Sequence, residues 1–134
     1  MSGLNFDYSG RLFIRNNMYG ITLSGSDYND IKQNVIENSY YYGIDINGDC
    51  ANNVIYHNYF LANNGATTEY DENHIQAQDG SNNNNWYDTV CFEGNCWSDW
   101  QNQPDEDMNG IVDDPYILDG ENEDPYPLVV PLLP

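Results

Sequence analysis

The sequence predicts an all-β solenoid, in which short strands from successive repeats lie directly over one another. The first observation is internal repetition: the run YGITL at 19–23 recurs as YGIDI at 42–46, an offset of 23 residues. The run at 29–36 likewise recurs at 53–60 with an offset of 24 residues. A period in the low twenties is typical of stacked β-coils. The second observation is apolar alternation interrupted by Gly and Asn, as strands between tight corners require.

The repeat region runs from residue 4 to about residue 65 and supplies most of the predicted strands. Three inward-facing stacks are expected, formed by Phe13, Ile36 and Phe60, by Ile31 and Ile55, and by 21–23 over 44–46. Asn34 and Asn58 occupy equivalent positions beside these strands, which predicts a ladder of side-chain amides at a strand spacing of about 4.8 Å. Gly20, Gly43 and Gly65 recur at strand starts, where we expect corners with positive φ.

An antiparallel sandwich also has short strands separated by turns. The strands of a sandwich do not repeat their own sequence in register, as these segments do, and the solenoid is therefore preferred. No segment combines a sustained 3.6-residue periodicity with helix caps, so we expect helices to be nearly absent.

The C-terminal part differs in composition from the repeats. Residues 66–85 are irregular, with a last incomplete coil expected through Ile75 and Ala77. Bulky side chains then follow that can cover the open end of the stack, namely Trp86, Tyr87, Trp97 and Trp100. From Gln101 the chain is acidic and interrupted by prolines. We expect one domain, with coils at 1–80 and an irregular capping segment at 81–134.

The charge balance excludes several classes of partner. Only 3 Lys and Arg residues face 22 Asp and Glu residues, for a formal net charge of −19. A chain with so few cations cannot neutralise phosphates, so we expect no nucleic-acid binding. Anionic membranes and polyuronates are disfavoured for the same Coulombic reason. Divalent cations and neutral ligands remain; the alternative is an acidic surface that only confers solubility in a saline medium.

The cysteines predict an oxidising compartment. Cys91 and Cys96 flank a Gly-Asn turn, so we expect a disulfide between them and a thiol at Cys50. Such usage fits an extracytoplasmic protein. Residues 1–3 lack the features of a signal peptide, and no apolar run reaches the length of a membrane span. If the protein is exported, we expect this chain to be a mature form or a fragment of a longer protein.

The acidic loop at 105–113 is the expected metal site. Alternate oxygen-bearing residues with Gly110 at the sixth place match the start of an EF-hand-type Ca²⁺ loop, whose side chains converge on a hard cation. The expected ligands are Asp105, Asp107, Asn109, the Ile111 carbonyl and Asp113. Tyr116 replaces the acid at the twelfth place, and the shell would be completed by Asp99, Asp114 or Asp124. The alternative is an acidic loop without a metal, which is common.

Four C-terminal runs, at 83–87, 94–100, 105–116 and 124–128, closely resemble in order the signature of one protein family. The family comprises the NosD-like, or periplasmic copper-binding-type, right-handed parallel β-helix proteins abundant on archaeal cell surfaces. With the repeats included, the resemblance extends from about residue 4 to residue 128. It implies a short right-handed parallel β-helix with a C-terminal cap. Two departures are Cys96 in place of Tyr, and Met108-Asn109 in place of Gly-Asp.

Copper, the ligand in the family name, is an alternative that the residues support poorly. Copper sites use clusters of His, Cys or Met. His57 and His74 are isolated in the sequence, and Met18 and Met108 lie far apart.

A carbohydrate-active enzyme, such as a polysaccharide hydrolase or lyase, is the other alternative. Such enzymes use paired carboxylates, or calcium with a cationic base. The nearest acidic cluster is 71–74 with Asp79, whereas the cations Arg11, Arg15 and Lys32 lie far upstream. A non-catalytic role is therefore favoured.

Tyr and Asn side chains are abundant on the predicted flat face of the stack. Aromatic rings stack on the C–H faces of sugars while amides bind hydroxyls, which suits neutral glycans. The residues of this expected face are Tyr40, Tyr41, Tyr42, Tyr56 and Tyr59; packing within the stack is the alternative for each. Together the features predict a calcium-stabilised structural or recognition module at the cell surface, with a glycan or surface protein as partner. The open strand edge of the first coil also predicts self-association.

Overall fold

The computed structural model describes residues 5–6, 12–120 and 122–131, and within these ranges the chain is all-β. One 3₁₀ turn, Asn63–Gly65, is the only helix there, and no described helix is long and apolar enough to cross a membrane. The strands are β1 Asn5–Phe6, β2 Leu12–Arg15, β3 Ile21–Leu23, β4 Asp30–Lys32, β5 Asn34–Glu37, β6 Ile44–Ile46, β7 Val54–Tyr56, β8 Tyr59–Leu61, β9 Ala77–Asp79, β10 Cys96–Trp97, β11 Tyr116–Ile117 and β12 Glu123–Asp124.

The largest sheet takes strands from successive repeats. Its order is β1-β2-β5-β8-β10, and every pair except the antiparallel β1–β2 pair is parallel. Phe13 was expected in the inward column of this sheet, and that prediction is wrong. Phe13 pairs with Val35 and is half-buried, because β2 and β5 are offset by 22 residues and a slip of one residue turns a side chain to the other face. The inward column, at most 1% exposed, consists of Ile14, Ile36, Phe60 and Trp97.

Two smaller parallel sheets confirm the other predicted stacks. Their strand orders are β3-β6-β9 and β4-β7. Register partners are Ile21, Ile44 and Ala77 in the first and Ile31 and Ile55 in the second. The strand expected through Ala77 is therefore present as β9, and β10 follows it in the largest sheet. On their outer sides β3 and β4 have no neighbouring strand among the described residues, and self-association at that edge stays a prediction.

Corners between strands are made largely by non-glycine residues with a left-handed backbone. Asn suits this region because its short polar side chain tolerates it. Residues with φ between 54° and 60° follow β2, β5 and β8, namely Asn16, Asn38 and Ala62. Positive φ is confirmed at Gly65 but is wrong for Gly20 and Gly43. Gly20 is instead required by close packing, since a Cβ there would collide with the carbonyl oxygen of Gly43.

Aromatic side chains stack on one another at the C-terminal end of the sheets. Trp97 lies between Phe60 and Tyr116, with ring-centroid distances of 4.1 and 4.0 Å and interplanar angles of 10° and 7°. Beyond this point β11 and β12 pair in antiparallel fashion, and Ile111 forms an antiparallel bridge with Leu128. The acidic loop at 105–113 is thereby tied to the closed end of the stack.

Three ladders of side-chain amides run from repeat to repeat beside the sheets. In the first ladder the Asn34 amide donates to Asn58 Oδ1, and the Asn58 amide donates to Asn95 Oδ1, at 3.0 Å each. The predicted Asn34–Asn58 contact is therefore confirmed. The other two ladders are Asn29–Asn53–Asn84 and Ser39–Asn63–Gln76, in which Ser39 donates through its backbone N–H. Each accepting oxygen also receives a backbone N–H, which ties neighbouring repeats together at their corners.

Each ladder ends on a carboxylate that is at most 2% exposed and that also accepts a hydrogen bond from an aromatic side chain. The last donors and their carboxylates are Asn95 with Asp124, Asn84 with Asp79, and Gln76 with Asp99. The aromatic donors to these carboxylates, at 2.9, 2.8 and 3.0 Å, are the indoles of Trp97 and Trp86 and the hydroxyl of Tyr116. Ladders and aromatic closure thus meet at three buried aspartates.

Candidate functional site

The acidic loop brings three of the predicted calcium ligands together. One carboxylate oxygen from each of Asp105, Asp107 and Asp113 lies within 4.8 Å of the other two, with Asp105 half-buried and the other two exposed. Among the described residues no other group of three His, Cys, Asp or Glu side chains is so close. Converging carboxylate oxygens are the ligands that hard divalent cations prefer.

Backbone hydrogen bonds fix the shape of this loop. Asp105 accepts from the backbone N–H groups of Asn109 and Gly110 at 3.2 and 3.0 Å. Gly110 has a φ of 86°, a conformation that strongly favours glycine. The side-chain oxygen of Asn109 accepts the N–H of Ile111 at 2.9 Å, so it braces the turn beside the three carboxylates.

The expected additional ligands do not join this group. Asp99 and Asp124 are the buried ends of two ladders, and Asp114 is exposed, with its backbone carbonyl accepting the indole N–H of Trp100. Burial raises the pKa of Asp99, and burial raises the pKa of Asp124 to about 7 against the opposing effect of the Trp97 indole that donates to it. Asp99 and Asp124 therefore serve the core of the stack.

The expected Cys91–Cys96 disulfide is absent, and the cysteines are free thiols. Cys91 is exposed in the turn of a hairpin that is closed by a bridge between Asp88 and Glu93. Cys96 is 0% exposed in β10, and its sulfur accepts a hydrogen bond from the Gln101 amide at 3.0 Å. The prediction is wrong because the hairpin turns one thiol to solvent while β10 holds the other in the core. Burial raises the pKa of Cys96 to about 12.

Two of the tyrosines expected on a glycan-binding face lie together at the surface. Tyr40 and Tyr41 are 69% and 40% exposed, and their rings meet edge-on with centroids 4.8 Å apart. Tyr19, from the preceding repeat, stacks on Tyr41 with centroids 5.2 Å apart and is also 40% exposed. We call Tyr19, Tyr40 and Tyr41 the tyrosine cluster.

The other expected tyrosines are half-buried and do not belong to the tyrosine cluster. The hydroxyl of Tyr42 donates to Asp119 at 2.6 Å; partial burial and this bond raise the pKa of Tyr42 well above its usual value. Tyr56 packs edge-on against the His57 ring, and the Lys32 ammonium lies 6.0 Å from the Tyr56 ring centroid. Tyr59 is also half-buried, and burial raises its pKa.

An open groove begins beside the tyrosine cluster. It consists of three adjoining cavities of about 380, 380 and 490 Å³. The first and second cavities share Asn73, and the second and third share Tyr70 and Glu72. We call the whole the tyrosine–acid groove, lined along its length by Tyr40, Tyr41, His74, Asn73, Tyr70 and Glu72.

The carboxylates considered for catalysis are separated by burial. Asp79 is 0% exposed and accepts the indole N–H of Trp86 at 2.8 Å. Asp71 is exposed and accepts the backbone N–H of Asn73 at 2.9 Å. Because Asp79 lies in the core, the two carboxylates cannot act on one substrate as an acid–base pair.

Sequence reasoning missed Tyr19 and the aspartates at the ends of the ladders. The signal for Tyr19 was present, since it precedes Tyr41 by the 22 residues that separate β2 from β5. The later ladder steps have no such signal. Asn58 contacts Asn95 across 37 residues and Asn63 contacts Gln76 across 13 residues, because irregular loops intervene.

Comparison with known families identifies a relationship. A family model described as periplasmic copper-binding protein (NosD) matches residues 5–102, which is more than half of the chain. Comparisons with curated proteins and with solved structures find no significant match. The matched range ends before the acidic loop, so the loop lies outside the part of the chain that the family model covers.

The family description names copper, and the donor groups of the described residues do not fit that metal. The Nε2 atom of His57 lies 3.0 Å from a Glu93 carboxylate oxygen, and the Nδ1 atom of His74 lies 2.8 Å from the Asn64 carbonyl oxygen. Neither histidine belongs to a described group of three possible ligands within 4.8 Å. Copper prefers several nitrogen or sulfur donors, which these positions do not assemble.

Proposed function

Because the chain belongs to the NosD family of periplasmic copper-binding-type proteins, we propose that it is an extracytoplasmic β-helix module for structural and recognition work at a cell surface. Parallel pairing of repeated segments in three sheets supports a wound arrangement. We take its hand to be right, as in nearly all parallel crossovers. The proposed domain has coils at 1–80 and a capping segment at 81–134.

Calcium is the proposed ligand of the acidic loop. Three converging carboxylates repel one another, and a divalent cation would turn that repulsion into attraction. Asp105, Asp107 and Asp113 would supply the charged ligands, while the Asn109 side chain and Ile111 carbonyl lie next along the loop. Because the loop is tied to the closed end of the stack, a bound ion would stabilise that end against unfolding.

A glycan is the proposed partner of the tyrosine cluster, and the stacking of Tyr19 on Tyr41 across two repeats is the observation that carries this proposal. Adjacent exposed apolar groups on a protein surface often mark an interaction site. The rings offer flat faces to sugar C–H groups, and Asn73 and His74 in the adjoining groove offer polar groups to hydroxyls. The net charge of −19 disfavours acidic glycans.

Glycan binding is tested by co-sedimentation with insoluble polysaccharides and by titration with soluble oligosaccharides. Tyr41→Ala is expected to weaken binding about tenfold or more, because it removes the ring shared by both aromatic contacts. The matched control is Tyr28→Ala, which removes a ring that is 80% exposed and outside the tyrosine cluster. Equal binding by Tyr41→Ala and the unaltered protein would overturn the proposed face.

A further inference from the structure

The two ends of the tyrosine–acid groove differ in chemistry. At one end are the exposed rings of Tyr40 and Tyr41. At the other end the third cavity is lined by Glu69, Asp71 and Glu72, all exposed. Asp119 lines the second cavity, between these two ends. A ligand that fills the groove therefore meets an aromatic surface first and a row of negative charges next.

The described cations leave this negative charge unbalanced. Arg15 pairs with Glu37 at 3.0 Å, and Lys32 lies over the Tyr56 ring. No Lys or Arg of the described ranges lines the groove. Charges closer together than the Debye length of about 8 Å act jointly on a ligand. The acidic end thus favours a cationic group over a neutral or anionic one.

The carboxylates at this end keep oxygens available for a ligand. One oxygen of Asp71 accepts the N–H of Asn73, and one oxygen of Asp119 accepts the Tyr42 hydroxyl, so each retains a second oxygen. Glu69 and Glu72 have no ion-pair partner among the described residues. Protonated amines donate up to three hydrogen bonds and are matched to such a surface.

We propose that the tyrosine–acid groove binds glycans that carry free amino groups, such as β-linked glucosamine oligomers, in preference to their N-acetylated or acidic counterparts. This inference rests on the proposed glycan-binding function of the tyrosine cluster and specifies its ligand. A sugar ring stacks on Tyr40 and Tyr41, and the amines of the following sugars pair with Glu72, Asp71 and Asp119.

A basic peptide meets the same negative charge, and the tyrosine cluster distinguishes the two ligands. The exposed rings of Tyr40 and Tyr41 line the first cavity of the groove, and Tyr19 packs against Tyr41 beside it. Sugars present a flat C–H face at every unit of the chain, whereas a lysine side chain offers a narrow methylene stem. The aromatic end therefore favours a glycan, with a peptide as the competing outcome of the test.

The test is calorimetric titration of the protein with a glucosamine tetramer, its fully N-acetylated form, and tetralysine at mildly acidic pH. At that pH the sugar amines are protonated. We expect the glucosamine tetramer to bind at least tenfold more tightly than the acetylated tetramer, and the difference to shrink in high salt. Tyr41→Ala should weaken both sugars and leave tetralysine unaffected.

Charge variants locate the effect. Glu72→Gln combined with Asp71→Asn should remove most of the preference for the amine while retaining binding of the acetylated tetramer. Both side chains are exposed, so folding should be unaffected. The matched control is Asp30→Asn, which removes an exposed carboxylate on β4, outside the groove, and should keep the preference.

Three results would overturn the inference, and they are distinguishable. Equal binding of the two tetramers would refute the amine preference while the proposed glycan recognition stands. No binding of either sugar would refute both. Tetralysine binding as tight as that of the glucosamine tetramer, with Tyr41→Ala without effect on either, would show a response to charge alone.

Discussion

Asn58 occupies the middle of the first ladder and is 1% exposed, so its replacement measures what a ladder contributes. Its side chain accepts from the N–H and the amide of Asn34 at 3.1 and 3.0 Å, and donates to the Ile31 carbonyl and to Asn95 Oδ1 at 2.9 and 3.0 Å. Asn58→Ala removes all of these bonds. Each bond contributes about 1 kcal/mol, and the buried Ile31 carbonyl would also be left without its partner. We therefore expect the free energy of unfolding to fall by about 5 kcal/mol.

The assay is urea unfolding followed by tryptophan fluorescence, since Trp86 and Trp97 are at most 1% exposed and report on the core. The matched control is Asn82→Ala in an exposed loop, which should change the free energy of unfolding by less than about 0.5 kcal/mol. Asn58→Asp should cost at least as much as Asn58→Ala, because an oxygen would replace the amide that faces the Ile31 carbonyl. A loss below about 1 kcal/mol for Asn58→Ala would refute the ladder as a source of stability.

Two further predictions concern the carboxylates. Calcium should raise the melting temperature and EDTA should lower it, and Asp107→Asn should abolish the shift because it removes one of three converging carboxylates. The second prediction concerns the difference in free energy of unfolding between the unaltered protein and Asp124→Asn. This difference should rise by about 3 kcal/mol in favour of the unaltered protein between pH 8 and pH 5, as measured by urea unfolding at each pH. Burial raises the pKa of Asp124 from 3.8 to about 7, so folding takes up a proton in this range. The contribution is complete below pH 3.8 and is lost as the pH rises through 7.

Each of these predictions has a contrary result. If calcium leaves the melting temperature of the unaltered protein unchanged, as it should in Asp107→Asn, the acidic loop is not a calcium site. Asp30→Asn serves as the control, because it removes an exposed carboxylate outside the loop and should leave the calcium shift unchanged. A difference between the protein and Asp124→Asn that is constant from pH 8 to pH 5 would show that Asp124 stays ionised in the fold.

Much of the strand register follows from the sequence because the repeats are direct copies. Ile31 pairs with Ile55 at the 24-residue offset seen in the sequence, and 21–23 pair with 44–46 at the offset of 23 residues. The predicted inward position of Phe13 is wrong because β2 and β5 are offset by 22 residues. A single residue inserted or deleted at a corner exchanges the inward-facing and outward-facing side chains of a strand. Periodicity predicts which segments stack, while corner lengths decide which side chains point inward.

The candidate sites divide in the same way. Local spacing sufficed to predict that Asp105, Asp107 and Asp113 lie close together, because a short loop with glycine brings alternate side chains together. Asp124 was misplaced because its partners depend on how the last segment folds back, and it meets Asn95 across 29 residues. Cys96 was misassigned because sequence proximity to Cys91 says nothing of the opposite environments that β10 and the hairpin turn impose.

The amide ladders give the stack a direction, because hydrogen bonds along each ladder are donated the same way. Along each ladder the N–H groups of one repeat donate hydrogen bonds to the side-chain oxygen of the next repeat in the sequence. A carboxylate has no N–H, so Asp79, Asp99 and Asp124 terminate the series chemically, whatever the length of polypeptide attached. A further repeat can extend the second ladder upstream by donating to the amide oxygen of Asn29, beside the β4 edge that has no neighbouring strand among the described residues. A repeat grafted after Asp124 would find no side-chain N–H to receive it.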